Sequence, residues 1–90
     1  VSTAHASLAP LPERLRALAQ AADAAGIRQV AHNVKGLAGT LMAGELHGAA
    51  LQCEASARTG APDAAAQATA LAESVDRVVQ ALAARAGRPV

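Results

Sequence analysis

Apolar residues recur along this chain at spacings of three and four, the period of helices buried on one side. The first stripe is Leu8, Leu11, Leu15, Leu18, Ala22 and Ala25. Pro10 and Pro12 confine regular helix to 12–25, because proline is tolerated only in the first turn, and Gly26 closes it as a C-terminal cap. Residues 1–9 stand before it as an N-terminal extension. A second helix, 27–43, carries Ile27, Val30, Val34, Leu37 and Leu41 on one side and stops near Gly44. A third, 45–59, turns Leu46, Ala49, Ala50, Cys53 and Ala57 inward. The clearest turn is Thr59-Gly60-Ala61-Pro62-Asp63, and the fourth helix, 62–86, follows with Ala64, Ala68, Leu71, Val75, Val78 and Leu82.

Connections this short force consecutive helices antiparallel, so the expected fold is all-α, an up-down-up-down four-helix bundle in a single domain. Composition agrees. The chain has 90 residues and is 52% hydrophobic, but 27 of those side chains are alanine and none is aromatic. Val, Ile and Thr together number only 12, too few for a β-sandwich or barrel. Alanine stripes let helices approach closely and bury little area each, which implies modest stability.

Charge narrows the function classes. Eight basic and seven acidic residues give a net charge of +1, with the arginines scattered from Arg14 to Arg88, so no nucleic-acid footprint is present. The apolar runs are too short for a transmembrane helix, and no direct membrane contact is expected. One cysteine makes no internal disulfide. Starting at Val1 rather than Met, the chain reads as a piece of a longer protein.

The second helix holds the residue that does not fit a core. On a wheel advancing about 100° per residue from Ile27, the five large apolar residues cluster around roughly 320° and His32 falls at about 140°. Gly36, Gly39 and Ala43 lie near it, at about 180°, 120° and 160°, with Lys35 at about 80°. The imidazole therefore faces solvent, ringed by small residues. Each mid-helix glycine costs about 1 kcal/mol relative to alanine. With the glycines facing away from the apolar stripe, access to the ring by a bulky group explains them better than helix packing. Lys35, the only lysine, would disfavour the imidazolium and stabilise an anion on the ring, where charge-assisted hydrogen bonds are worth roughly 1.5–3 kcal/mol.

The stretch His32-Asn33-Val34-Lys35-Gly36-Leu37-Ala38-Gly39 resembles the HxxKGxxG core of histidine phosphotransfer (HPt) domains. Ala31 before the histidine, Leu46, the Cys53-Glu54 pair in place of the family's Leu-Glu step, and Arg58-Thr59-Gly60 as its closing turn extend the resemblance. Upstream, Leu15, Leu18 and Asp23-Ala24-Ala25-Gly26 look like the first bundle helix and its connection. The resemblance implies that His32 is phosphorylated at Nε2 by a receiver-domain aspartate and passes the group to another. It implies that Lys35 neutralises the phosphoryl oxygens and that Gly36 and Gly39 leave room for them. Arg28, Gln29, Lys35, Gly36, Gly39, Met42 and Ala43 would meet the receiver. Met42 stands where the family usually has glycine, at about 60° on the wheel beside Lys35, and is expected to add an apolar docking contact.

What else the resemblance implies follows the family. The module needs no intrinsic cofactor, the receiver partner supplying Mg²⁺. Its partners are upstream and downstream response-regulator receiver domains, and the isolated domain is monomeric. It has no kinase activity of its own, and lies in the cytoplasm as the C-terminal module of a hybrid sensor histidine kinase whose parent chain can be anchored in the inner membrane.

Other chemistries fit less well. No GxxxxGK[ST] occurs for a nucleotide, and a dimerising kinase histidine domain would place an acid where Asn33 stands. His5, His32, His47 and Cys53 offer no i, i+4 pair to a metal, so no metal site is expected. Cys53 reads as a small buried hydrophobe and His47 as a partly exposed flank. Ser56 and Ser74 lack a His-acid constellation. The alternative from another class is a non-catalytic helical interaction module.

Overall fold

A computed structural model describes residues 7–41, 43–60 and 63–86. Four helices form a bundle: α1 (Leu11–Gln20), α2 (Ala24–Thr40), α3 (Gly44–Thr59) and α4 (Ala64–Ala86). α2 packs most extensively on α3 and α1 on α4; α3 also meets α4, while α1 and α3 lie across the diagonal without contact among the described residues. The core runs along the axis through Leu15, Ile27, Val34, Cys53, Leu71 and Val75, with alanines between them. Leu8, expected in an extension over 1–9, is fully buried in this core, and Ser7 and Leu8 are helical.

The first connection departs from the 12–25 and 27–43 boundaries. α1 stops at Gln20 because Ala22 turns left-handed, at φ 53°. The amides of Ala22 and Asp23 then donate back to Ala19 and Leu18 carbonyls at 3.1 and 3.0 Å, the paired bonds of a Schellman C-terminus. Asp23 immediately caps α2, its carboxylate accepting from the Gly26 amide at 3.0 Å. Gly26 therefore ends no helix; it lies in the first turn of α2. A Cβ there would come within 2.6 Å of Leu18 Cδ2 and 2.8 Å of Asp23 Oδ2, so close approach, not chain reversal, requires the glycine.

α2 ends at Thr40, short of 43. The Ala43 amide bonds the Ala38 carbonyl at 2.9 Å and Ala43 becomes the N-terminal cap of α3. At the far end of α3, Gly60 takes φ 68° in the predicted Thr59-Gly60 turn, where a left-handed residue closes the helix without penalty.

Alanine at the left-handed position of residue 22 is strained by about 1–2 kcal/mol. Ala22→Gly keeps the turn and removes the Cβ conflict. The domain should gain about 1 kcal/mol, and Tm should rise by roughly 4–8 °C in a melt followed by circular dichroism. An unchanged or lower Tm would show that residue 22 is not left-handed in solution.

Candidate functional site

His32 lies midway along α2 with 65% of its side chain exposed, as the wheel requires. The ring is nevertheless not isolated from the bundle. Its Nδ1 is 2.9 Å from Oε2 of Glu54, on α3. Glu54 is the only charged or polar residue among the buried ones described, at 4% exposure. Its other oxygen, Oε1, accepts from Lys35 Nζ at 2.9 Å, and Arg58, one turn further along α3, stands 3.7 Å from Oε2.

The wheel placed His32 opposite the large apolar residues, yet it reaches the next helix because Ala31 and Ala38 are fully buried too. They widen the buried arc of α2 toward the histidine. On α3, Ala50, Cys53 and Ala57 are buried beside Glu54. Small side chains on both helices let the backbones close until a glutamate can span the gap.

Electrostatics then fixes the ring. The hydrogen bond from Lys35 holds the Glu54 carboxyl below its ordinary 4.5; burial pushes the other way, and the His32 bond lowers it further. An ionised carboxylate only accepts hydrogen bonds, so Nδ1 carries the proton and donates. In the neutral ring the lone pair is then on Nε2, facing solvent. Lys35 faces this carboxylate, and its side chain is 28% exposed.

His32 is the ridge between two grooves. One, of about 480 Å³, lies toward α3 and holds Arg28, Gln29, Lys35, Glu54 and Arg58 beside the ring. The other, of about 560 Å³, lies toward the N-terminal segment, with Ser7, Leu11, Asn33, Gly36 and Leu37. A Cβ on Gly36 would meet nothing within 4 Å, and one on Gly39 only His47 Cδ2, at 4.0 Å. Neither glycine is there to let a helix approach.

The remaining expected residues separate from this group. Ala43 is removed from the His32 face because it caps α3 instead of extending α2. Met42 and His5 lie outside the described residues. His47 is half-buried next to Gly39. Cys53 is buried, and burial pushes its thiol up to about 11. Among the described residues, no group of three or more His, Cys, Asp or Glu side chains could hold a metal ion.

Glu54 and Arg58 were not read from the sequence as site residues. Glu54 did carry a signal: Ala50 and Ala57, at i−4 and i+3, are core positions, so a carboxylate between them must be buried and must find donors. A carboxyl with a lowered folded value stabilises the protein above its unfolded value and loses that contribution as the pH falls through the folded one. Wild-type Tm should therefore fall more steeply below about pH 4.5 than that of Glu54→Gln, and above it the variant should be the less stable. Parallel pH profiles would show that Glu54 is not ion-paired.

A family model described as Hpt domain matches residues 5–84. No curated protein and no solved structure matches the chain. The motif around His32, the four-helix bundle and a match over most of the sequence agree: the chain belongs to the Hpt domain family, whose members carry histidine phosphotransfer in two-component phosphorelays.

Proposed function

We propose that His32 is the phosphoryl acceptor and donor of this domain, taking the group from one receiver aspartate and passing it to another. The observation that carries this reading is the Nδ1–Glu54 bond at 2.9 Å on a ring that is otherwise exposed. The Nε2 lone pair attacks phosphorus in line, the P–O bond to the aspartate breaks, and the aspartate leaves as a carboxylate. The ring becomes cationic with Nδ1–H still bound to Glu54, whose negative charge stabilises it. In the onward step a second aspartate attacks, the P–N bond breaks, and a neutral imidazole leaves with Nδ1–H in place. No proton moves in either direction.

Positioning and charge are what phosphoryl transfer needs. The receiver partner supplies Mg²⁺ and most of the transfer site. The surface of α2 with Arg28, Gln29, Lys35, Gly36 and Gly39 receives it, and the two open glycines let the receiver backbone come close. Met42 keeps its expected role as a partner-selecting contact. We assign the transfer to the cytoplasm, with the domain monomeric and carried by a hybrid sensor kinase. Among the described residues no helix is long and apolar enough to cross a membrane.

Incubation with a phosphorylated receiver domain should label the wild-type chain at an acid-labile, alkali-stable position. His32→Gln should abolish labelling with helical content unchanged; labelling that persists would move the site to His5 or His47. Gly36→Gln should stabilise α2 by up to about 1 kcal/mol yet slow transfer at least several-fold, because its Cβ meets no neighbour in the fold while the longer side chain obstructs the receiver. A destabilised variant, or full transfer, would overturn the steric account. No labelling by any receiver would leave the chain as an interaction module.

A further inference from the structure

Among the described residues, three cations share the groove between α2 and α3, and they are not equivalent. Lys35 donates to Glu54 Oε1 at 2.9 Å, and Arg58 stands 3.7 Å from Oε2. Arg28 is exposed on the same groove and has no hydrogen-bond or ion-pair partner among the described residues. With Glu54 as the one carboxylate among the described residues that line it, these side chains carry two positive charges in excess. Arg28 and Gln29 lie one turn before His32 on α2, where i and i+4 share a face. Both residues line the groove beside the ring.

We propose that Arg28 is the residue that binds the phosphoryl group on His32 directly, while Lys35 stays on Glu54. The inference rests on the reading of His32 as acceptor and reassigns the charge-neutralising role expected of Lys35. Moving Lys35 onto the phosphoryl oxygens would take the nearest cation from a buried carboxylate. Moving Arg28 there breaks no ion pair or hydrogen bond among the described residues. Its planar guanidinium presents paired N–H donors that match two phosphoryl oxygens, and the excess positive charge of the groove matches a dianion.

Phosphoramidate provides a test that needs no receiver: its phosphoryl group passes to Nε2 and ammonia leaves. The adduct is identified by ³¹P NMR as the resonance missing from His32→Gln, and its second ionisation is followed by pH titration of the ³¹P shift. A cation bound to the phosphoryl group lowers that ionisation, so Arg28→Ala should raise it by about half a unit to one unit, and Arg28→Lys should restore at least half of the difference. Transfer from a phosphorylated receiver should slow about 5- to 30-fold in Arg28→Ala. A titration unchanged in Arg28→Ala but displaced in Lys35→Ala would overturn the proposal and return the role to Lys35. An intact Arg28 effect on the chemical adduct, with no transfer from any receiver, would sink the relay reading and keep the anion site. Failure of the wild-type chain to form the adduct would overturn both.

Discussion

A carboxylate buried in an alanine-lined helix interface stays ionised only if cations and donors surround it, and Glu54 is such a carboxylate. Its two oxygens take hydrogen bonds from two residues of α2, one to each oxygen. That division ties α2 to α3 in one register. It also decides which nitrogen of His32 carries the proton and where the ammonium of Lys35 rests. The chemistry at the surface is therefore set by a group that is almost invisible from it.

Small residues make the arrangement possible at both levels. Ala31, Ala38, Ala50 and Ala57 are buried and bring the two helices within reach of one glutamate. Gly36 and Gly39 have no such packing role, since a Cβ at Gly36 meets nothing and one at Gly39 only touches His47. Gly36 lines a groove beside the exposed ring, while Gly39 lines a separate hollow with Ala43 and His47. Gly26 is the opposite case, packed against Leu18 and the capping carboxylate of Asp23. Three glycines of one helix thus answer to two different constraints.

The bundle and the exposed histidine were legible because both are properties of single helices. The stripe through Ile27, Val30 and Val34 points one way and His32 another, whatever the neighbours do. The ends of helices were less legible. Gly26 looks like a stop, but Ala22 made the turn, a conformation alanine disfavours and sequence does not advertise. Asp23 as a cap was the better signal. Ala43 fell on the His32 face only if α2 ran to 43; backbone bonds that close α2 at Thr40 remove it. Glu54 was hardest, since its role depends on where a second helix sits. Its flanking alanines marked it as buried, and burial of a carboxylate implies partners, but only the packed helices name them as His32 and Lys35.

The central claim is that Glu54 holds the His32 proton on Nδ1 and leaves Nε2 as the nucleophile. Long-range ¹H–¹⁵N correlation of the imidazole at about pH 8.5, where imidazoles are neutral, reads this directly. The wild-type ring should show a protonated Nδ1 and an unprotonated Nε2, and Glu54→Ala should lose that preference while remaining helical. A wild-type ring protonated on Nε2, or the same Nδ1 tautomer persisting without the carboxylate, would contradict the account.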